Sequence, residues 1–340
     1  MTGAAYALIA VIILVLVPWA GVGGLGLTFF FGVVIPYAAF TLFFFGFLRR
    51  ILGWSRIPNP FRIPTTGGQQ KFLDWIRQSR LDNPSSTGQV MGRMLSEVFL
   101  FRSLFRNLSS RPGSDGAGVT YASAKWLWLF AMVFHYAMFI TLIRHLRFFT
   151  NPVPSVVGLV EGIDGWLEVG VPQIMISGLF LLCAVCLLLA RRLLIPRLRY
   201  ISLMNDFFPL FLIITIAFTG ILMRYVVGID VTSVKELVMG LVSFRPVTVE
   251  GINPLFFIHI FLVSVLFACF PFSKLMHAGG VFFSPTRNMA NNNRAIHHEN
   301  PWNYPVKFHT YQAFEEEFRQ KMVEAGIPLN ETPSPPGKKE

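Results

Sequence analysis

Two apolar stretches of the chain carry two histidines each. KWLWLFAMVFHYAMFITLIRHLRFF, residues 125–149, holds His135 and His145. NPLFFIHIFLVSVLFACFPFSKLMH, residues 253–277, holds His259 and His277. An ionisable side chain at membrane depth costs roughly a few kcal/mol and tends to mark a site. Imidazole is a standard axial ligand of haem iron. Four imidazoles on two helices suffice for two haems b, each iron held from both sides.

Spacing then assigns partners. His135 and His145 are ten residues apart, which on a helix is about 15 Å of depth and an offset of roughly 80°. His259 and His277 are eighteen apart, five full turns, so a continuous helix would put both rings on one face about 27 Å apart. The two helices run in opposite directions. Depth therefore pairs His145 with His259 at an outer site and His135 with His277 at an inner one. The depth separations do not match; helix tilt and different ring directions are what would absorb the difference. Basic side chains flank the ligands: Arg144 and Arg147 beside His145, Lys274 one turn before His277, and Arg224 with Tyr225 at the end of another apolar segment. They fit haem propionates, and snorkelling to the membrane interface accounts for them equally. His297, His298 and His309 fall in a polar tail and read as surface residues; no His-Glu-x-x-His signature is present. No catalytic side chain is assigned, because the chemistry belongs to bound redox groups.

The rest of the chain must hold these histidines in a membrane. It is 53% hydrophobic and 14% charged, with 35 Phe among 340 residues. That is too apolar for a soluble domain. Six segments are long enough to cross: residues 4–20, 25–48, 125–148, 171–190, 206–227 and 253–276. The first lacks a basic leading region and reads as an uncleaved span. If it does not cross, five spans remain and the histidines are unaffected. The fold class is thus all-α integral membrane, a five-helix dihaem core plus one N-terminal helix. It divides into 1–48 (two helices), 49–124 (a basic loop), 125–277 (four helices holding the haems) and 278–340 (a docking tail).

The formal charge of +11 does not indicate nucleic acid, because its placement is one-sided. Loop 49–124 sets eleven Lys and Arg against Asp74, Asp82, Glu97 and Asp115. Arg191, Arg192, Arg197 and Arg199 follow the fourth span, whereas the 150–170 loop has Glu161, Asp164 and Glu168 and no basic residue. The positive-inside rule then places the basic loop, the 191–199 turn and both termini in the cytoplasm of an inner membrane. Within the basic loop, Phe72, Trp75 and Ile76, then Met91, Met94, Leu95 and Val98, fall at helical spacing. They suggest short amphipathic helices on the membrane surface or under a partner, or a small loop subdomain. A tail helix is expected around 311–325. Cys183-x-x-Cys186 and Cys269 read as buried, inert thiols and not as a redox pair.

The His-x9-His and His-x17-His spacings resemble the γ subunit family of respiratory nitrate reductase. The loop Pro60-Phe61-Arg62-Ile63-Pro64-Thr65-Thr66-Gly67-Gly68-Gln69-Gln70 narrows the resemblance. So do Met276-His277-Ala278-Gly279-Gly280, Ser284-Pro285-Thr286-Arg287-Asn288 and Phe308-His309-Thr310-Tyr311. Together they look like the DsrM family, membrane cytochromes b of DsrMKJOP complexes in sulfur metabolism. The resemblance implies two haems b on His135, His145, His259 and His277, with menaquinone as substrate. It also implies a DsrK-like iron–sulfur partner linked to the DsrC trisulfide, as part of a quinone-linked oxidoreductase. Quinol oxidation is expected at an outer pocket near His145, Arg144, Glu168 and Arg224, or else near the inner haem. The competing expectations are a haem-free anchor for soluble subunits and the cytochrome b of a related heterodisulfide-reductase-type complex.

Overall fold

A computed structural model describes residues 3–59, 62–63, 67–112, 119–167, 173–293, 305 and 309–330. Its helices are α1 (Gly3–Gly23), α2 (Ile35–Ser55, entered through a π-helical turn at Phe30–Val34), α3 (Thr87–Leu100), α4 (Arg102–Phe105), α5 (Lys125–His145), α6 (Ser155–Asp164), α7 (Ile176–Leu194), α8 (Pro196–Ile201), α9 (Met204–Leu222), α10 (Val231–Val242), α11 (Pro254–Cys269), α12 (His277–Gly280), α13 (Pro285–Asn288) and α14 (Tyr311–Glu324). A hairpin of β1 (Leu108–Pro112) and β2 (Val119–Ser123) interrupts the helical pattern.

Six of these segments are long and apolar enough to cross a membrane: Gly3–Gly23, Phe30–Ser55, Lys125–Phe148, Ile176–Leu194, Met204–Val227 and Pro254–Phe272. Helices are the economical solution there, since lipid offers no partner to a backbone N–H or C=O. Their outward faces are large and apolar, as with Leu8, Ile12, Phe44, Phe45, Phe139 and Phe180. The fold is the expected all-α membrane protein.

α5 packs on α7, α7 on α9, α9 on α11 and α1, and α11 on α1 and α2. The first span is therefore an integral wall of the bundle, with Val11 buried against Leu212, Ile258 and Leu262. α5 and α11, which carry three of the four histidines, have their main packing partners elsewhere.

The last span departs from the continuous helix expected over 253–276. α11 ends at Cys269, Phe270–Phe272 tightens into a 3₁₀ turn around Pro271, and Ser273 is extended at φ −114°, ψ 177°. Proline removes a backbone donor and clashes with the preceding turn, so the helix stops there. α2 accommodates the break. A Cβ on Gly46 would stand 2.9 Å from Pro271, and one on Gly279 would stand 3.0 Å from Ile51. Only glycine lets the two segments approach so closely. His277 thus starts a separate short helix clasped against α2. The five-turn separation calculated for a continuous helix therefore does not apply to His259 and His277.

At the basic end, α2 continues to Ser55, past the expected boundary at 48. Residues 72–76 form turns, not the expected helix, whereas 87–100 is helical. α3 is turned inside out relative to a soluble helix: Arg93 and Glu97 are buried, while Met91, Leu95 and Phe99 are exposed. The buried charges belong to an ionic subdomain. Arg62 donates to Thr286 O (3.0 Å), Asn83 Oδ1 (3.2 Å) and Asp82 O. Asn83 donates to the carbonyls of Gly67 (3.0 Å) and Gly68 (2.6 Å), and accepts from Asn291 Nδ2 at 3.2 Å. Arg102 and Arg106 both close on the Asp82 carboxylate. The loop around Arg62 and the segment around Thr286, distant in sequence, are one folded unit. Pro60, Phe61, Pro64, Thr65, Thr66 and Phe308 of the signature segments lie outside the described residues, as do His297 and His298.

Burial lowers the Arg62 guanidinium to about 10, with Arg93 adding to the effect and Asp82 opposing it; it stays charged at neutral pH. Burial alone would raise the Asp82 carboxyl. Hydrogen bonds from Arg102, Arg106 and Ser79 outweigh that and hold it well below the ordinary range.

The described tail residues, 309–330, belong to a second compact unit. Within it α14 matches the expected 311–325 helix. Thr310 caps it, accepting from Ala313 N at 3.2 Å, and buried Glu315 accepts from Arg319 and Asn330 N. Cys183, Cys186 and Cys269 are free thiols. Cys183 and Cys186 are exposed on α7 and not buried as expected.

Candidate haem centres

The basic-end pair is in place. The ring centres of His135 on α5 and His277 on α12 are 5.9 Å apart, with planes at 85°. An iron bound by two imidazoles through bonds of about 2 Å puts the ring centres about 6 Å apart. At the acidic end, His145 closes α5, and His259 lies in α11 within electrostatic reach of it. The His145 side chain is exposed.

All four rings present the same face to a metal. His135 Nδ1 contacts Ala131 O at 2.7 Å and His145 Nδ1 contacts Thr141 O at 2.7 Å. His277 Nδ1 contacts Lys274 O at 2.8 Å. A carbonyl only accepts, so each Nδ1 carries the proton and each Nε2 keeps its lone pair. His259 differs: its Nδ1 lies 2.9 Å from Thr219 Oγ1, and that hydroxyl donates to Thr215 O at 2.9 Å. With its one proton engaged by its own helix, through Thr215 O or Ile216 O (3.0 Å), the hydroxyl is open to accept from His259 Nδ1–H, and that tautomer gives the same outcome. Fixing the tautomer through Nδ1 is how proteins orient imidazole ligands. Among the described residues no cluster of three or more His, Cys, Asp or Glu could hold a metal ion. Pairs with free Nε2 atoms are what the chain offers, and they fit haem ligated on both faces.

The flanking cations are mostly committed. Arg144 pairs with Asp164 at 2.8 Å and reaches Ser177 Oγ at 3.1 Å. Asp164 in turn accepts from Ser177 N (2.6 Å) and Ser177 Oγ (2.6 Å). Arg147 pairs with Glu161 at 2.8 Å. Lys274 pairs with Asp206 at 2.6 Å, and Arg192 approaches the same carboxylate. Of the four, Arg224 alone has no carboxylate partner among the described residues. It donates to Gln173 O at 3.2 Å and lies over the Tyr225 ring. The buried Nε atoms of Arg144 and Arg224 have no hydrogen-bond partner among the described residues. Arg224 and Tyr225 sit on a π-helical turn, Met223–Val227, a distortion that is frequent at functional sites. Glu168 lies outside the described residues.

The sequence did not single out Asp164, Ser177, Thr219 or Asp206 as site residues. Asp164 counted only toward the acidic character of its loop. A threonine in a membrane helix gives no signal, since its hydroxyl usually bonds back to its own helix.

The family described as the nitrate reductase gamma subunit matches residues 94–294. Two similar proteins are each named "Hdr-like menaquinol oxidoreductase cytochrome b-like subunit". That of Archaeoglobus fulgidus is 47% identical over 279 residues, covering 80% of this chain and 83% of its own length. That of Archaeoglobus profundus is 42% identical over 275 residues, covering 79% and 81%.

Proposed function

This chain belongs to the nitrate reductase gamma subunit family, and on that premise we propose that it is the dihaem b membrane subunit of a quinone-linked oxidoreductase. His135 with His277, and His145 with His259, are the axial pairs. The observation that carries the reading is the set of four imidazoles, each with Nδ1 engaged and Nε2 free, two of them at bis-imidazole spacing. When bound, the haems supply one-electron transfer across the membrane. The chain's residues do the rest. Ala131 O, Thr141 O, Lys274 O and Thr219 Oγ1 orient the rings, and Arg224, with Arg144 and Arg147, offers positive charge to propionates at the acidic end. Lys274 does the same at the basic end.

Menaquinol is the proposed substrate, oxidised at the acidic end beside His145, Arg144 and Arg224, with Glu168 as a further candidate. Asp164 and Glu161 supply the carboxylates that proton release needs there. With the basic end in the cytoplasm, protons leave outside while electrons move inward. They pass to a DsrK-like iron–sulfur subunit and on to the DsrC trisulfide. The names of the two Archaeoglobus proteins favour a second host, an Hdr-like menaquinol oxidoreductase. The two hosts separate on which iron–sulfur subunit co-purifies and whether it reacts with trisulfide. A pyridine haemochrome assay and a dithionite-minus-air difference spectrum of the purified subunit test the core reading. Two b haems per chain are expected. A colourless protein leaves only the anchor role.

A further inference from the structure

The turn between α3 and α4 is pinned against α5 at the level of His135. Trp128 Nε1 donates to Leu100 O at 2.8 Å, and Tyr136 Oη donates to Phe99 O at 2.9 Å. Phe101 follows directly, in the left-handed region at φ 48° and ψ 45°, with its N–H bonded to Ser96 O. A non-glycine residue holds that conformation only when its surroundings impose it. Here they do so from both sides. Glu97 accepts from Ser103 N and Ser103 Oγ, and Arg102 and Arg106 are tied to Asp82. The result aims the Phe101 ring at His135: ring centres 5.0 Å apart, planes at 73°. His277 approaches the same imidazole. His135 is thus held between its proposed haem partner and an aromatic ring delivered by the ionic subdomain.

We infer that Phe101 is a positioning residue for the basic-end haem, fixing the His135 plane and keeping water from the iron on that side. The inference rests on the dihaem reading above. An edge-on aromatic contact restricts rotation of the imidazole about its bond to the metal. Excluding water disfavours the more positively charged ferric form and raises the reduction potential.

The test uses the intact complex in native membranes or detergent. His277→Ala first identifies which b-type component belongs to the basic end. Phe101→Ala is then expected to keep both haems by pyridine haemochrome. It should lower the midpoint of that one component and shift its low-spin ferric EPR signal. Phe101→Leu restores bulk and should recover the midpoint more than the EPR signal. If Phe101→Ala does not accumulate, the double variant Trp128→Phe/Tyr136→Phe releases the two carbonyl anchors while keeping an aromatic ring at each position, and should move the same component in the same direction. Unchanged midpoint and EPR signal in a variant that retains both haems would overturn the inference while leaving the dihaem reading intact. Absence of haem from the wild-type chain would instead overturn that reading, and this inference with it.

Discussion

The two ends of the membrane bundle treat equivalent histidines differently. At the basic end, His135 is bordered by the rings of Phe101, Phe134 and His277, and the Lys274–Asp206 ion pair lies beside His277. At the acidic end, His145 directly follows Arg144, which is locked to Asp164 and Ser177, and His259 leans on a hydroxyl. An aromatic shell suits electron transfer without proton exchange. A shell of carboxylate, guanidinium and hydroxyl suits a substrate that gives up protons with its electrons. The contrast therefore supports quinol chemistry at the acidic end and onward transfer at the basic end.

The contrast can be broken most forcefully at the ligands. Replacing His145 or His259 by Ala should remove one haem and leave the other at its own midpoint. His135→Ala and His277→Ala should each remove the other haem, leaving about half the haem in every case, as read by pyridine haemochrome. Loss of the same component from His135→Ala and His259→Ala would undo the pairing.

Next in size is the Arg144–Asp164 pair. Removing one partner of a buried ion pair costs on the order of 3–5 kcal/mol because the other charge is stranded. Asp164→Asn should slow quinol-driven haem reduction at least about tenfold, while dithionite still reduces both haems. Rapid-mixing spectroscopy with a menaquinol analogue reads this. An unimpaired rate would move the quinol site away from the acidic end.

The ionic subdomain sets a third expectation, in acid. Asp82 is held ionised below its unfolded range, so its contribution to stability is complete above about pH 4. That contribution fades as pH falls toward the depressed folded value. Asp82→Asn should destabilise the segment around Arg62 and Arg102 by about 3 kcal/mol at neutral pH. Limited proteolysis of the variant against wild type checks it, and the difference should shrink in strong acid.

The smallest effect is expected at Thr219. Thr219→Val removes the acceptor for His259 Nδ1–H, makes the imidazole a poorer donor to iron and should raise the acidic-end midpoint slightly. The basic-end midpoint should stay fixed. A shift in both would mean the two sites are not separate.

Much of this was legible in the sequence, for reasons the residues make plain. The six spans follow from composition, and the proposed histidine pairing rests on helix direction read through charge bias. Pro271 was in view, but a proline within a membrane span does not announce how far the chain turns. The break at Ser273 needed the packing of Gly46 and Gly279 against it to become visible. α3 was legible as a helix with an apolar face; the burial of Arg93 and Glu97 on its other face was not. The ionic subdomain that buries Arg93 and Glu97 assembles from residues 62 to 291, a separation no local pattern reports. Phe101 carried no signal at all, since one phenylalanine among 35 is unremarkable until its ring is placed beside His135.

The account turns on two b haems in two distinct surroundings, and a redox titration of the wild-type difference spectrum in the α-band tests this most directly. Two components with separate midpoints are predicted, one lost with His277→Ala and the other with His259→Ala. A spectrum without b-type absorption, or a single component abolished equally by both substitutions, would contradict it.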